Sequence, residues 1–322
     1  MNKKKIALVI LYFGSLPEYI DVFLKSLEFN KDIDVIIFTD QILSEKMENL
    51  IVKRSSFDEI RERIQSKFDF KICLDRPYKL CDYKPTYGYV FEEELKEYDF
   101  WGYCDLDQVL GCITKFLPNY ILEKYDKIYQ YGHLTLYKNT KDNNCRFMID
   151  KGMNYKEVFS TNVICVFDEI IGIQNKYDML QIRTYKKRDN ADISPWHDKF
   201  LRVESHLTEK EKKDFNYKEQ IFFWENGKIY RAALKGEKII YEEFNYLHFQ
   251  KRKLVKHFDN IEKINSFFIT KSGFYMKKDG FNITRDDIKK YNGYNLKHEL
   301  LKRLEYHYFI LKRRINKYLL SK

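Results

Sequence analysis

The sequence predicts an α/β fold in which a mixed, mostly parallel central sheet is flanked by helices and followed by a helical C-terminal tail. Three observations support this class. Two continuous apolar runs, at residues 6–12 and 34–39, are separated by apolar residues at helical spacing. An aromatic run at residues 100–104 leads directly into two aspartates. Residues 295–319 repeat apolar side chains at helical spacing among many lysines and arginines.

The first two strands and the helix between them form a predicted crossover unit. Residues 6–12 are apolar throughout, as in a strand covered on both faces, and a turn follows at Gly14. A helix is expected from Pro17 onward, and a second buried strand at 34–39 ends at Asp40. This order predicts a parallel pair, and nucleotides bind at the carboxyl ends of such strands.

The middle of the chain leads into the central strand. Residues 56–69 and 87–98 are expected to form helices. The stretch at 71–91 opens with cations, acids and tyrosines around two prolines, which suits either a phosphate-binding loop or an ordinary solvated loop. The aromatic run at 100–104 then predicts a buried strand that ends at Asp105.

Further strands are predicted in the second half of the chain. Residues 127–137 alternate like a strand with one solvated face. A short buried strand at 163–167 is expected to end in Asp168 and Glu169. Two late strands are expected at 220–230 and 242–249, the second of which contains His248.

Length and composition limit the class of protein. The chain of 322 residues can bury a large core, and 44% hydrophobic residues exclude a disordered chain. Six cysteines without a Cys-X-X-Cys pair, and no secretory signal pattern, predict reduced thiols in a cytoplasmic protein. The apolar run at 6–13 is far shorter than the roughly 20 residues that a membrane span needs.

Positive charge is concentrated in the tail. The formal net charge is +10, and residues 285–322 hold eleven Lys and Arg against four Asp and Glu. A nucleic-acid-binding protein spreads its cations over a face of the fold, so we expect no nucleic-acid partner. A local anionic surface is the better candidate for a partner of this basic tail.

Asp105 and Asp107 are the strongest candidates for a functional site. Side chains two residues apart on an extended chain point the same way, so the two carboxylates can share one ligand. They repel each other unless a cation lies beside them, and Mg²⁺ or Mn²⁺ accepts such oxygens. An Asp-X-Asp triplet also occurs by chance in surface loops, but here it follows a buried aromatic run, which favours a metal site.

Six short motifs lie in order along residues 5–252. They are Tyr12-Phe13-Gly14, Asp75-Arg76-Pro77-Tyr78-Lys79, Asp82-Tyr83-Lys84-Pro85, Trp101-Gly102-Tyr103-Cys104-Asp105-Leu106-Asp107, Trp224-Glu225-Asn226-Gly227 and His248-Phe249-Gln250-Lys251-Arg252. This set resembles the GT-A-type glycosyltransferases, which use nucleotide-sugar donors, and more narrowly a bacterial polysaccharide-biosynthesis family of uncharacterised-domain type.

The resemblance implies a GT-A-like (Rossmann-like) catalytic domain at 1–252 and a mostly helical basic extension at 253–322. It also implies a hexosyltransferase that builds a surface polysaccharide such as capsule or O-antigen from a nucleoside-diphosphate sugar, with UDP as the expected nucleotide.

The resemblance assigns roles to several residues. Asp105 and Asp107 hold Mn²⁺ or Mg²⁺, which bridges the donor diphosphate and steadies it as a leaving group. His248 lies where such enzymes often supply a third ligand, although a His at a strand end is as often structural. Three polar residues after it are placed to close over the phosphates: Gln250, Lys251 and Arg252. Some retaining relatives have a Gly and a Lys-Pro-Trp pattern here, which this sequence lacks, so the stereochemistry stays open.

Other donor-binding candidates follow from their positions. Lys79 and Lys84, in the polar stretch, are candidates for contact with the diphosphate or the donor sugar. Tyr12 and Asp40 are candidates for the base and the ribose, because they lie at the ends of the first two strands.

The acceptor is expected to be a glycan or a lipid-linked glycan. An inverting mechanism needs a carboxylate that deprotonates the acceptor hydroxyl, and Asp168 and Glu169 are the best-placed pair. The same two acids can instead stabilise the N-terminus of a helix.

Three other classes of protein fit this sequence less well. The run from Asp105 to Gly111 also resembles the nucleophile motif of haloacid-dehalogenase-type phosphatases, in which the first Asp attacks phosphorus. That family has its motif near the N-terminus and a later Gly-Asp-rich acidic motif, neither of which this sequence shows. A binding module without catalysis is a weaker alternative, and a dinucleotide-dependent dehydrogenase is weaker still, because no Gly-X-Gly-X-X-Gly follows the first strand.

The tail predicts a basic amphipathic helix over residues 295–319. Its apolar positions share one face, and its cations occupy much of the rest. The apolar members are Leu296, Leu300, Leu304, His307 or Tyr308, Leu311, Ile315 and Tyr318. The stripe either packs on the rest of the protein or lies on the anionic cytoplasmic leaflet, which would make the protein peripheral to the plasma membrane.

Overall fold

A computed structural model of the chain describes residues 3–43, 47–204, 207–250, 252–278, 280 and 282–320, with side chains of the last helix up to residue 312. The chain forms two compact units. The first unit consists of Met1–Pro17, Asn30–Leu106 and Thr114–Arg188. The second unit consists of Glu18–Phe29, Asp107–Ile113 and Asp189–Lys322.

This division differs from the expected boundary at residue 252. The expected helical extension begins with three strands that share a sheet with strands preceding that boundary: Val255–Lys256, Ser266–Thr270 and Gly273–Met276. Phe267 and Phe274 are fully buried in the same hydrophobic cluster as Trp224. Residues 253–278 are therefore needed to complete the core of the second unit, and the α-helices of the expected extension are Arg285–Tyr291 and Leu296–Leu320.

The first unit is built on a seven-stranded mixed sheet. Its spatial order is Leu50–Arg54, Ile33–Thr39, Ile6–Tyr12, Phe100–Cys104, Leu134–Lys138, Lys127–Tyr131 and Thr184–Tyr185. The first four strands are parallel to one another, which confirms the predicted crossover and the largely parallel sheet. Every residue of Phe100–Cys104 is buried. Trp101 stacks on Tyr137 with ring centroids 4.5 Å apart, so aromatic packing fixes the central strand.

Two predicted elements of the first unit are divided in the structure. Residues 127–137, predicted as one strand, form an antiparallel hairpin that turns at Gly132 and His133. The predicted helix at 87–98 is split into Tyr87–Val90 and Glu92–Leu95, because Phe91 leaves the helical region with φ −109° and ψ 33°.

Residues 163–167 do not form the predicted strand. The Asp82 carboxylate accepts hydrogen bonds from the backbone N–H groups of Cys165, at 2.9 Å, and Phe167, at 2.8 Å. A side chain thus satisfies donors that would otherwise need a neighbouring strand. Asp82 belongs to the 3₁₀-helical segment Pro77–Thr86, and Glu169 precedes the short π-helix Ile170–Gln174.

The second unit contains a six-stranded sheet that the sequence pattern did not predict as a whole. Its order is Lys238–Phe244, Lys228–Lys235, Gln220–Glu225, Ser266–Thr270, Gly273–Met276 and Val255–Lys256. Neighbouring strands are antiparallel except the last pair, which is parallel. The predicted strand at 220–230 is interrupted because Asn226 and Gly227 take φ of 48° and 78°, which suits a two-residue hairpin turn.

A small three-stranded sheet in the second unit brings distant segments together. Tyr246–His248 pairs with Gln108–Leu110 in antiparallel and with Ala191–Asp192 in parallel orientation. The backbone N–H of Phe249 also donates to the carbonyl of Asp107 at 3.1 Å. The predicted strand at 242–249 is therefore shared between two sheets.

Helices connect these strands. The helix expected from Pro17 begins at Ile20, and the one expected at 56–69 is shorter and starts with a capping box between Ser56 and Glu59. The α-helices of the described chain are Ile20–Leu27, Phe57–Gln65, Tyr87–Val90, Glu92–Leu95, Ile113–Phe116, Asn119–Lys124, Lys141–Asn144, Tyr155–Phe159, Asn175–Met179, Glu209–Lys212, Arg285–Tyr291 and Leu296–Leu320. Shorter 3₁₀ turns lie at Arg146–Met148 and Ile261–Lys263.

Candidate functional site

Three of the predicted site residues lie at the same edge of the seven-stranded sheet. Tyr12 is the last residue of its strand, and Asp40 and Asp105 each follow the last residue of theirs. The three strands are adjacent and parallel. Their carboxyl ends therefore meet at one edge, which is where open α/β sheets bind ligands.

Asp40 organises the turn after the first strand and remains exposed. Its carboxylate accepts the Gly14 N–H at 3.1 Å and the Gln41 side-chain amide at 2.9 Å. The hydrogen bonds from Gln41 and Gly14 hold the pKa of Asp40 below its usual value. The Tyr12 hydroxyl donates to the Ser15 carbonyl at 3.0 Å. An exposed, ionised carboxylate at the end of a strand is suited to accept hydroxyl donors.

Lys84 connects two carboxylates of the first unit. Its ammonium donates to Asp105 Oδ1 at 2.6 Å and to the Gly132 carbonyl at 2.8 Å, and it lies 3.3 Å from Asp168 Oδ2. Burial disfavours the charged form of Lys84, but Asp105 and Asp168 outweigh burial and raise the pKa of Lys84 well above its usual value. A permanent positive charge therefore lies between the two acids.

Asp168 is almost fully buried, whereas Glu169 is partly exposed. Burial raises the pKa of Asp168 to about 8, although the Lys84 ammonium opposes this rise. A Cβ at position 132 would lie 2.3 Å from Asp168 Oδ2 and 2.8 Å from Glu169 Oε1. Gly132 thus permits the close approach of both acids, and any larger residue there would displace them.

In the second unit, His248 lies between two carboxylates. His248 Nε2 lies 3.2 Å from Asp107 Oδ1, and Nδ1 lies 2.8 Å from Asp192 Oδ1. The Gln250 amide donates to the same Asp192 oxygen at 2.9 Å. Burial disfavours the imidazolium, but Asp107 and Asp192 raise the pKa of His248 well above its usual value. Asp192 orients the ring so that Nε2 faces Asp107.

Asp192 is a site residue that the sequence analysis did not select. It belongs to the two-residue strand Ala191–Asp192, inside a segment that the sequence shows only as polar. Its neighbour His248 is 56 residues away in the chain. No local motif marks it, because the contact depends on strand register in the three-stranded sheet.

Lys79 is committed to the interior of the first unit. Its ammonium donates to Asp82 at 2.8 Å and to the carbonyls of Val158 and Val163 at 3.0 and 2.6 Å. The side chains of Lys79 and Asp82 are both 0% exposed. All three ammonium protons are used in these hydrogen bonds, so Lys79 has none to offer a donor diphosphate.

Arg252 is held by the loop at residues 194–199, which precedes it in the chain. Its guanidinium donates to the carbonyls of Ser194, His197 and Lys199. Burial lowers the pKa of Arg252 to about 10. Arg252 therefore secures the loop at 194–199, and Lys251 lies outside the described residues.

Three of the acids around Lys84 and His248 keep part of their surface in solvent, whereas Asp168 does not. The exposed side-chain fractions are 34% for Asp105, 28% for Asp107 and 23% for Asp192. Carboxylate oxygens and an imidazole nitrogen are ligands that divalent metals accept. Within the second unit, Asp107 and His248 face each other, and a divalent ion bound there would displace the Nε2 proton of the imidazolium.

The fold and these residues define an α/β protein with acidic side chains at the carboxyl ends of parallel strands. The profile of the family of unknown function DUF6625 matches residues 8–278, which is most of the chain, and the protein belongs to this family. No curated protein matches the chain.

One similar solved structure is the crystal structure of the apo-form glycosyltransferase GlyE in Streptococcus pneumoniae TIGR4. The two chains share 15% sequence identity, with a TM-score of 0.36. The similarity covers 80% of this chain but 57% of that chain, which is less than two thirds of its length.

Proposed function

We propose that this protein is a metal-dependent GT-A-type glycosyltransferase that moves a hexose from a nucleoside-diphosphate sugar, with UDP as the preferred nucleotide. The observation that carries the proposal is the pairing of Asp107 with His248. Asp107 closes the Asp-X-Asp triplet, and the His comes from one of the motifs on which the glycosyltransferase resemblance rests.

The proposed metal ligands are Asp107 and His248. Asp105 is the third proposed ligand, because it lies only two residues before Asp107 in the chain. A donor set that mixes carboxylate oxygen with imidazole nitrogen suits Mn²⁺ better than Mg²⁺, which prefers oxygen and water. When bound, the metal neutralises charge on the donor diphosphate and so supports its departure. Asp192 acts on the site through the orientation of His248.

Tyr12 and Asp40 are proposed to bind the uracil and the ribose. Asp40 is ionised and exposed at the strand edge, so it can accept hydrogen bonds from ribose hydroxyls. Lys84 is proposed to act as a positioning residue. Its ammonium already contacts Asp105 and Gly132, so it influences donor binding through Asp105.

Glu169 is the proposed base that deprotonates the acceptor hydroxyl. It is partly exposed, whereas Asp168 beside it is buried against Lys84. An acceptor can therefore approach Glu169 more easily than Asp168. The proposed acceptor is a glycan or lipid-linked glycan of a bacterial surface polysaccharide such as capsule or O-antigen, as the sequence resemblance implies.

The experiment that tests this proposal is product analysis by NMR after incubation with Mn²⁺, a panel of UDP, GDP and dTDP sugars, and candidate glycan acceptors. We expect one donor class to release its nucleoside diphosphate and to give a glycosylated product. The Glu169→Gln variant should lose transfer, whereas the control Glu93→Gln, whose side chain is 81% exposed, should keep it. Hydrolysis of generic phosphate esters without sugar transfer would instead favour the phosphatase alternative.

A further inference from the structure

The last helix, Leu296–Leu320, is attached to the second unit along one side. Glu299 is 5% exposed, and its carboxylate accepts the Asp198 N–H at 2.8 Å and contacts His197 Nδ1 at 3.1 Å. The Asp198 carboxylate in turn accepts the Asn295 N–H at 2.7 Å, just before the helix begins.

Aromatic contacts extend this attachment along the same side of the helix. The rings of Tyr306 and Phe309 lie 5.5 and 5.2 Å from the ring of Trp196. Positions 299, 306 and 309 are separated by seven and three residues, which places them on one helical face. The helix is therefore held in place without using its leucine-rich face.

The leucine-rich face is exposed to solvent in the described side chains. The exposed fractions are 62% for Leu296, 54% for Leu300, 64% for Leu304, 68% for Tyr308 and 56% for Leu311. Spacings of four, four, four and three residues put them on one stripe. The sequence-predicted stripe thus does not pack on the protein over this length. Ile315 and Tyr318 lie beyond the described side chains.

Positive charge accompanies this stripe. Lys297 and Lys312 are exposed near its two ends, and residues 285–322 hold eleven Lys and Arg against four Asp and Glu. An apolar stripe with flanking cations matches the boundary between the headgroups and acyl chains of an anionic lipid layer. A second copy of this chain is a poorer occupant, because it would bring two cationic helices together.

None of the described helices is both long enough and apolar enough to cross a membrane.

We propose that residues 296–311 dock on an anionic lipid surface, with Leu300, Leu304, Tyr308 and Leu311 inserted at the headgroup boundary and the flanking lysines on the lipid phosphates. Docking does not depend on the proposed transferase activity. Its use does rest on that activity, because it would keep the enzyme on the surface that carries lipid-linked acceptors.

Co-sedimentation of the full chain with vesicles tests the proposal. The vesicles contain either 30% phosphatidylglycerol in phosphatidylcholine or phosphatidylcholine alone. We expect binding to the anionic vesicles that weakens as salt rises, and little binding to the neutral ones. Leu300→Glu with Leu304→Glu should weaken binding at least about tenfold. These side chains are exposed, so thermal unfolding monitored by circular dichroism should be unchanged.

Met276→Glu is the matched control, because Met276 and Leu304 are both 64% exposed and belong to the same unit. It should bind vesicles like the unchanged protein. Lys297→Glu with Lys312→Glu should remove the preference for anionic lipid.

Equal vesicle binding by the leucine variant would overturn the proposal. A concentration-dependent dimer that the leucine variant abolishes, in a protein that ignores vesicles, would assign the face to a second copy instead. UDP binding measured on the same variants separates these outcomes from any failure of the proposed enzyme activity.

Discussion

Two charged clusters of this protein use similar side chains for different purposes. In the first unit, Lys79 and Asp82 are 0% exposed, and all their hydrogen bonds go to each other and to nearby backbone. In the second unit, Asp107 and Asp192 are 28% and 23% exposed on either side of His248. A cluster with only internal partners holds the fold together, whereas one with exposed carboxylate oxygens can still accept a ligand. Accessibility, rather than charge, separates the two roles.

The largest effect is expected from removing the exposed acids. Asp105→Ala and Asp107→Ala should each lower sugar transfer at least about 100-fold, because several kcal/mol of charge stabilisation are lost with the metal. Thermal stability in metal-free buffer should fall less than in the Lys79 variant described next, because Lys84 keeps Asp168 and the Gly132 carbonyl and His248 keeps Asp192. Transfer assays and melting curves measure both properties, with Asp259→Ala as the exposed control. A large loss of stability would show that these carboxylates are structural, like the Lys79–Asp82 pair.

The buried Lys79–Asp82 pair should instead contribute to stability. Lys79→Met should lower the free energy of unfolding by about 3–5 kcal/mol, because it leaves Asp82 as a buried charge without its partner. Urea unfolding measures this change. Lys96→Met is the control, since Lys96 is 66% exposed and should change stability by less than about 0.5 kcal/mol. A Lys79 variant as stable as the control would show that this interior pair does not support the fold.

Asp192 should affect metal binding through its contact with His248. Asp192→Asn keeps a hydrogen-bond acceptor beside His248 Nδ1 but removes its charge, so Mn²⁺ affinity should fall by about 10–100-fold. A Mn²⁺ titration followed by electron paramagnetic resonance measures the affinity, with Asp214→Asn as the exposed control. An unchanged affinity would mean that His248 does not need Asp192 to bind the metal.

Lys127 is another buried lysine of the first unit, and its hydrogen bonds go to neutral oxygens rather than to a carboxylate. Its ammonium donates to the Tyr129 carbonyl and to Gln174 Oε1, and burial lowers its pKa to about 7. Between pH 7 and the ordinary lysine value, the unfolded chain binds a proton that the folded chain has released, so stability should rise with pH in that window. Burial also raises the pKa of Asp168 to about 8, and this acid acts in the opposite direction in the same window, so Lys127→Met is the reference. Between pH 7 and 9 in urea unfolding, the unchanged protein should gain about 2 kcal/mol relative to Lys127→Met. An equal pH dependence of the two proteins would show that Lys127 does not cause it.

The sequence predicted the parts of this structure that depend on local pattern. The parallel strands around residues 6–12 and 34–39 and the strand before Asp105 were correct, because continuous apolar runs identify buried strands. The strand at 163–167 was wrong, since the Asp82 carboxylate takes the N–H groups that a sheet would use.

The site was less predictable than the sheet. Asp105 and Asp107 stand out in the sequence because their spacing and the preceding aromatic run are both local. The burial of Lys79 and the contact between Asp192 and His248 depend on segments far apart in the chain, so spacing in the sequence could not identify them. The division at residue 252 failed for the same reason, because Phe267 and Phe274 pack with residues from earlier strands.

If Asp105, Asp107 and His248 hold a divalent metal, nucleotide binding must depend on that metal. Isothermal titration calorimetry with UDP, in Mn²⁺ and in EDTA, measures this dependence. We predict binding in Mn²⁺ that EDTA abolishes, that Asp107→Ala eliminates and that Lys96→Met leaves unchanged. Binding of the same strength in EDTA, or no binding of any nucleoside diphosphate in Mn²⁺, would contradict a metal-dependent nucleotide site.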